Sequence, residues 1–389
     1  MNLMGSRLIH LSAAMIGYLK TGVPLIEWDG SKLLLSNAGD DIGIYIIIPK
    51  IATYFGISLE RAVTSFFLAL LIIPMLCAVI GFCCVYKKTS ERIVAIAAIL
   101  LLTRFAYSIG DVYLGFSAAA LMLIPWGIVI RESENFKTST FFGVLSGMIA
   151  GFFHYIRSFS GIGTLLCILV LMISSRTHSK KNKMGFVLAI LFGYFVPYYY
   201  FNAQYQEAKV YEREILNQTG SVAEKHPLWH PLYLGFGFLN LKNKRNIRYD
   251  DAFGLETARA TNPSVVYCSN EYEEILRGEV LSIIKNEWAF LILTLFAKLG
   301  ILIFYLLKFT NIGLLAAFFY RKSWVIDVAF FLGMGWNSIF PLLAIPLHEY
   351  SLGFIACATL WSITSINHAL SELNLSNFQF IKEKQFSLK

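Results

Sequence analysis

The chain has 389 residues, of which 56% are hydrophobic and only 15% charged, with 33 Lys and Arg against 25 Asp and Glu. Soluble globular domains are about 45–50% apolar and about 25% charged, so a water-soluble enzyme is excluded; the apolar surplus falls in repeated runs that mark a polytopic membrane protein. The net charge of +8 does not indicate a nucleic-acid partner, because the basic residues sit in short loops beside hydrophobic runs, where the positive-inside rule puts them.

Residues 1–61 read as an external acidic loop. Met1–Ile26 lacks the compact apolar core and small-residue cleavage site of a signal peptide. The stretch 8–26 carries His10 and Lys20, so it is either a weak first transmembrane helix or a helix on the membrane surface. Asn37-Ala-Gly-Asp40-Asp41-Ile-Gly43 follows, with a glycine on either side of the two carboxylates. A carboxylate held there suits deprotonation of a hydroxyl or binding of a divalent metal; the same residues also make an ordinary solvated turn. The run Tyr45–Phe55 then reads as an amphipathic surface helix.

Residues 62–201 predict six transmembrane helices: Thr64–Tyr86, Ile93–Ile109, Leu114–Ile130, Phe141–Phe153, Ile162–Ser174 and Met184–Phe201. Several are near 17 residues, short of the about 20 that a bilayer requires, so their ends recruit neighbours. Gly, Ala and Ser are frequent in them, which suits close packing in lipid. Residues 202–298 form the only segment long enough for a small external domain. It opens on a charged helix, Tyr205–Leu216, and ends in Glu271–Phe296, whose later part is expected along the membrane surface. Residues 299–369 hold three further helices, Leu299–Phe319, Trp324–Leu343 and Leu352–Ile366, and 370–389 is a cytoplasmic tail. The expected fold is therefore all-α, a bundle of about nine to eleven transmembrane helices under a cap of two large loops.

The loops alternate in character. Lys87-Lys88 with Arg92, Arg131 with Lys137, Arg176 to Lys183, and Arg321-Lys322 form a basic set, which the positive-inside rule makes cytoplasmic. The intervening loops carry the clustered Asp, His and aromatic residues. His154 and Arg157 end one span and Arg104 lies near the same end of another; Arg and His suit a phosphate, though snorkelling or an ion pair with Asp111 would also account for them. His226-Pro-Leu-Trp229-His230-Pro-Leu-Tyr233 suits a sugar, whose C–H-rich faces stack on aromatics. The two histidines with Asp250-Asp251 would alternatively bind a metal, or the loop would simply anchor at the interface. His348-Glu349-Tyr350 occupies a short turn and either orients a substrate or caps a helix. Lys298 and Lys308 are further candidates for a lipid phosphate, whereas Glu271, Glu273 and Glu274 read as a solvated helix face. Of six cysteines only Cys268 lies in a polar segment, which leaves no disulfide framework. No Walker A loop, Gly-x-Ser-x-Gly elbow or His-Glu-x-x-His helix is present, against ATP hydrolysis, serine esterase and zincin chemistry.

Taken together, the chain resembles the GT-C class of integral-membrane glycosyltransferases, through Asp40-Asp41 followed by Ile42–Phe55 and through Asp111 in the next external loop. Trp229-His-Pro-Leu-Tyr-Leu-Gly235 is similar to stretches of bacterial surface-polysaccharide and lipopolysaccharide modification enzymes. The class resemblance implies a polyprenyl-phosphate sugar donor, an acceptor hydroxyl on a glycan, lipid or protein, and a site on the outer side of a bacterial cytoplasmic membrane. It makes Asp41 or Asp40 the base, with room for a divalent ion (Mg or Mn), and gives Asp111 and Glu349 an acidic or acceptor-orienting role. Arg157, His154, Arg104 and Lys298 would bind the donor phosphate, and His226, Trp229, His230, Tyr233, His348 and Tyr350 the sugars. Two rivals are an O-antigen polymerase or ligase, centred on Arg and His, and a polysaccharide or lipid transporter or flippase, which would use the mid-span residues Lys308, Asn311 and Asn337.

Overall fold

The computed structural model describes residues 7–36, 42–216 and 227–386, with side chains as far as Leu373. Asp40, Asp41 and His226 lie outside these residues. Fourteen helices are present among the described residues: α1 (Arg7–Thr21), α2 (Ile42–Phe55), α3 (Leu59–Val85), α4 (Thr89–Tyr107), α5 (Leu114–Arg131), α6 (Phe136–Ile156), α7 (Ile162–Ile173), α8 (Lys180–Glu214), α9 (Trp229–Gly235), α10 (Asp251–Thr261), α11 (Asn270–Asn286), α12 (Trp288–Phe319), α13 (Trp324–Leu343) and α14 (Leu352–Phe386). Six of them, α3, α5, α6, α8, α12 and α13, are long and apolar enough to cross a membrane. The protein is an all-α polytopic membrane protein. The shorter α7 packs between α13 and α5, and α14 runs among α12, α13, α5 and α4. From Leu352 to Ser365 α14 is buried on every side, as befits the bundle's central helix.

Sequence patterning does not predict one element. A small antiparallel hairpin, β1 (Ile26–Trp28) and β2 (Leu33–Leu35), follows α1 in register Ile26↔Leu35. Its turn is built by Asp29, whose Oδ1 accepts from the backbone N–H of Ser31 and of Lys32, each at 2.8 Å, and by Gly30 at φ 100°. The hairpin is apolar enough to pack on α1, and Lys20 stands 3.2 Å over the Trp28 ring. At 15 residues α1 is shorter than a bilayer span. The predicted surface helix is α2, but protein covers most of it: Gly43 to Ile46, Ile48, Pro49 and Ala52 are buried against α1, α3, α6 and α8. Only its end, Thr53 to Phe55, is exposed.

Helices α6 and α8 approach most closely because of glycine. A Cβ on Gly147 would strike the Ile190 carbonyl oxygen, and one on Gly193 the Val144 carbonyl, so side chains are forbidden on both sides of the crossing. The two ends of the bundle differ. At one, Ser175 Oγ donates to the Arg131 carbonyl at 2.7 Å and Asn367 Nδ2 to the Glu91 carbonyl at 3.1 Å, among the basic loops. At the other, the acidic and aromatic loops converge.

Over that second end lies the cap. Helix α8 runs unbroken past the predicted boundary at residue 202 to Glu214. Helices α9, α10 and α11 share a separate apolar core in which Tyr272, Leu276, Val280 and Ile283 form one face of α11. The expected surface helix ending at Phe296 is instead two helices, broken at Glu287, and the second descends into the bundle as α12. Replacing Gly147 by Val should cost about 1–3 kcal/mol through overpacking and give a markedly lower thermal midpoint on size-exclusion analysis after heating. A midpoint equal to that of wild type would contradict this crossing.

Candidate functional site

The site is organised by one arginine. Helix α6 stops at Ile156, and Arg157 turns into extended backbone. Phe159 and Gly161 then take positive φ (67° and 87°), closing a tight corner before α7. Ser160 Oγ donates to the Arg157 carbonyl at 2.7 Å and also to that of Phe153, while the Phe159 N–H donates to His154 Nδ1 at 3.3 Å. The corner buries Arg157 to 5% exposure. Its guanidinium lies 4.8 Å from the Tyr113 ring centre and 5.6 Å from that of Tyr350, and those rings are 4.5 Å apart. Arg7 approaches Tyr113 from 5.6 Å and is ion-paired to Asp111 at 2.7 Å. The delocalised, weakly hydrated guanidinium tolerates such an aromatic setting better than an ammonium does. Burial pushes the Tyr113 hydroxyl well above the usual tyrosine range, so it stays protonated.

Arg157, Tyr350 and Phe340 line two adjoining spaces. A chamber of about 310 Å³ is completed by Arg7, His230, Tyr249, Asp251 and Tyr267. A narrow cleft of about 30 Å³ leads among the helices, walled by Phe116, Phe159, Trp336, Asn337 and Pro341. The chamber mixes polar and apolar walls and the cleft is mainly apolar, with the guanidinium in the wall common to both.

The cap supplies the chamber's other polar wall. Glu273 on α11 accepts the backbone N–H groups of Leu228 (2.7 Å), Trp229 (2.8 Å) and His230 (3.0 Å), anchoring the start of α9. His230 Nε2 lies 3.2 Å from Asp251 Oδ1 and 3.3 Å from the Tyr267 hydroxyl; its Nδ1 lies 2.6 Å from the Tyr272 hydroxyl. In the tautomer that donates from Nε2–H to the carboxylate, Nδ1 accepts from the Tyr272 hydroxyl. The hydrogen bond from His230 holds the Asp251 carboxyl below its ordinary range, while burial pushes Tyr249 and Tyr272 up. The chamber thus offers two guanidinium groups, one ionised carboxylate and protonated phenols.

Of the residues predicted from sequence, Arg157, His230 and Tyr350 line the chamber, and Asp111 reaches it through Arg7. Asp111 pairs with Arg7 rather than with Arg157 or Arg104. Glu349 is 3.2 Å from His348 beside Tyr350, and its Oε2 has no hydrogen-bond partner among the described residues. The remaining candidates lie elsewhere. Arg104 is exposed against Tyr107, and His154 turns toward Phe159 and Tyr194. Tyr233 belongs to the cap core, stacked on Phe253, and Trp229 faces Arg277. Lys298 is fully buried and donates to the carbonyls of Leu343 (3.1 Å) and Ala344 (2.7 Å), a helix-end contact that leaves it no path to a phosphate. Glu273, predicted on a solvated face, is the cap of α9. Lys308 and Asn311 are exposed on the outside of α12, and Asn337 bonds the Gly333 carbonyl at 2.9 Å, so these three share no path through the bundle. Among the described residues no group of three or more His, Cys, Asp or Glu gathers to hold a metal.

Sequence reasoning missed Arg7, Tyr113, Tyr249, Tyr267 and Phe340. Arg7 had a usable signal, an arginine at the start of an apolar stretch; the tyrosines had none, being indistinguishable from the other aromatics of an interfacial belt.

Fold and site together define an integral-membrane protein with a cationic, aromatic chamber at one end of its bundle. Compared with known protein families, curated proteins and solved structures, the chain matches none. Glu273→Ala should destabilise the α9 turn by about 1–2 kcal/mol. Hydrogen exchange should then show faster exchange at Leu228, Trp229 and His230 with α3 and α5 unaffected; unchanged protection would refute the cap.

Proposed function

We propose that the chain is a glycosyltransferase that moves a sugar from a polyprenyl-phosphate donor to a hydroxyl on a surface glycan, lipid or protein, at the outer face of a bacterial cytoplasmic membrane. The observation that carries this reading is the position of Arg157, buried among aromatic rings at the membrane end of α6 and lining a chamber of about 310 Å³. A lipid phosphate combines a charged head with a greasy tail, and it needs both environments meeting at one cation. The basic loops at the opposite end of the bundle support an outward-facing chamber.

In this reading the acceptor oxygen attacks the anomeric carbon while the bond from that carbon to the phosphate oxygen breaks. The leaving phosphate keeps the electron pair, and Arg157 with Arg7 stabilises the charge that builds there. The acceptor proton passes to Asp41 or Asp40, and the configuration inverts. These two residues directly precede α2, whose Gly43 packs against the Tyr155 carbonyl, two residues before Arg157. Asp251, held by His230, accepts further hydroxyls of the acceptor, and Tyr249 offers a ring face to the sugars. No step in this scheme requires a metal.

A second reading, an O-antigen polymerase or ligase, is favoured by one observation: both chamber guanidiniums are present, while the carboxylates described near them, Asp111 and Asp251, are already paired. Two substitutions separate the readings. With a reconstituted lipid-phosphate sugar donor, Arg157→Ala should lower transfer about 10²–10³-fold, and Asp41→Asn about 10²–10⁴-fold, at equal membrane levels. Loss in Arg157→Ala with full activity in Asp41→Asn and in Asp40→Asn would shift the assignment to the arginine-centred polymerase or ligase. Full activity in Arg157→Ala would remove the proposal.

A further inference from the structure

A second cationic feature lies away from the chamber. The loop Leu241-Lys242-Asn243-Lys244-Arg245 places four polar or basic side chains in succession in the cap. Arg245 is consumed internally: its Nε donates to Glu287 at 2.8 Å and its other nitrogens bond Glu279 and Ser282, pinning the loop onto α11. Arg245 shares its one charge between Glu287 and Glu279, and the hydrogen bond to Glu287 and the two carboxylate charges raise the guanidinium further above its usual range. Lys242 and Lys244 remain exposed. With Asn286, Trp288 and Phe290 they line a groove of about 430 Å³, where α11 ends and α12 begins. Glu287 also lines it, and the two lysines leave the groove with positive charge in excess.

What lies below the groove identifies its occupant. Only 17% of the most apolar stretch of α12 is buried in the protein, which leaves a long face that suits lipid. Trp288 (65% exposed), Ile292 (47%), Phe296 (68%), Leu299 (40%), Ile303 (46%) and Leu307 (52%) recur at helical spacing and form one continuous apolar stripe that starts in the groove. Trp288 at its head is the residue type that favours the headgroup level. A ligand anionic at one end and carrying long chains at the other fits both parts. The two lysines are also more than forty residues before α12 in sequence, about twice the distance over which basic residues bias topology. Folding thus brings positive charge to a membrane boundary without the insertion signal that sequence-adjacent lysines would give.

We propose that this groove binds the phosphate of an anionic phospholipid, with Lys242 and Lys244 on the headgroup and the acyl chains along the upper, one-leaflet half of the stripe, Trp288 to Leu299. The site is independent of the transfer reaction. The lipid is a resident of the surrounding leaflet, not the sugar donor.

The test uses the full chain in nanodiscs of phosphatidylcholine with a minor fraction of phosphatidylglycerol, followed by native mass spectrometry of retained lipid. Wild type should retain phosphatidylglycerol selectively. Lys242→Gln with Lys244→Gln should weaken that selectivity about thirtyfold, roughly fivefold per lysine, and raised salt should do the same. Lys32→Gln, the loss of one charge on the exposed hairpin, should leave it unchanged rather than give the roughly fivefold drop of one groove lysine. Trp288→Ala should weaken retention of both lipids. Equal phosphatidylglycerol retention in the double variant, or a roughly fivefold loss in Lys32→Gln, would overturn the proposal. Full displacement by millimolar glycerol 3-phosphate would also overturn it, by showing that a free phosphate suffices and the stripe contributes nothing.

Discussion

A guanidinium buried at the end of a lipid-embedded helix bundle has to be compensated on every side, and that requirement shapes this molecule. An uncompensated charge in such a place costs several kcal/mol or more. Arg157 meets the requirement with ring faces from Tyr113 and Tyr350, which arrive on different loops. Tyr113 ends the α4–α5 connection and Tyr350 the α13–α14 connection, so satisfying one cation fixes three helix ends relative to one another. The Arg7–Asp111 pair extends the same logic to α1. Two guanidiniums near one ring repel, and the Asp111 carboxylate offsets that repulsion where it is greatest. The chamber is what remains when these groups have been arranged.

Close helix packing makes the arrangement possible. Arg157 can stand at the rim only because α6 is held against α8 through Gly143, Gly147 and Gly151, with backbone touching backbone. In lipid there is no hydrophobic force to press helices together, so contact area gained by small residues sets the distance. The same device recurs at the centre, where Gly353 and Gly163 admit the Asn337 amide between α13, α14 and α7. That amide joins Arg157 and Ser158 in lining the otherwise largely aromatic cleft.

Much of the bundle was legible because its signal is local. Nine apolar runs bounded by charges became helices, α3 to α8 and α12 to α14, since an apolar helix satisfies its own backbone whatever its neighbours do. Helices α8, α12 and α14 nevertheless run well past the expected limits, to Glu214, back to Trp288 and to Phe386. The cap was legible only in part. The run Tyr205–Leu216 shows helical character in sequence, but nothing local says that α8 continues through it without a break. The site divides in the same way. Arg157 and Tyr350 announced themselves as polar groups beside apolar runs, and His230 as part of a His- and aromatic-rich loop. Tyr113, Tyr267 and Phe340 enter it through tertiary packing alone. Glu273 and Lys298 misled for one reason: both are charged residues whose partners are backbone groups, and no residue pattern advertises a backbone partner.

Lys298 shows how such a group supports the site without touching it. Its Nζ, fully buried, donates to the last carbonyls of α13, where the helix dipole is negative and the carbonyls have no partner within the helix. This contact stitches α12 to the corner that follows α13. The same corner receives Gly235 of α9 against Ala344, an approach that any larger residue would block. It then leads through Ile345, which lines the chamber, to Tyr350, which faces Arg157. The cap and the bundle are therefore joined at Ala344, and the junction sits one residue from the chamber wall. A lysine that reads in sequence as a ligand for phosphate acts instead as the clamp that sets where the aromatic partner of Arg157 can stand.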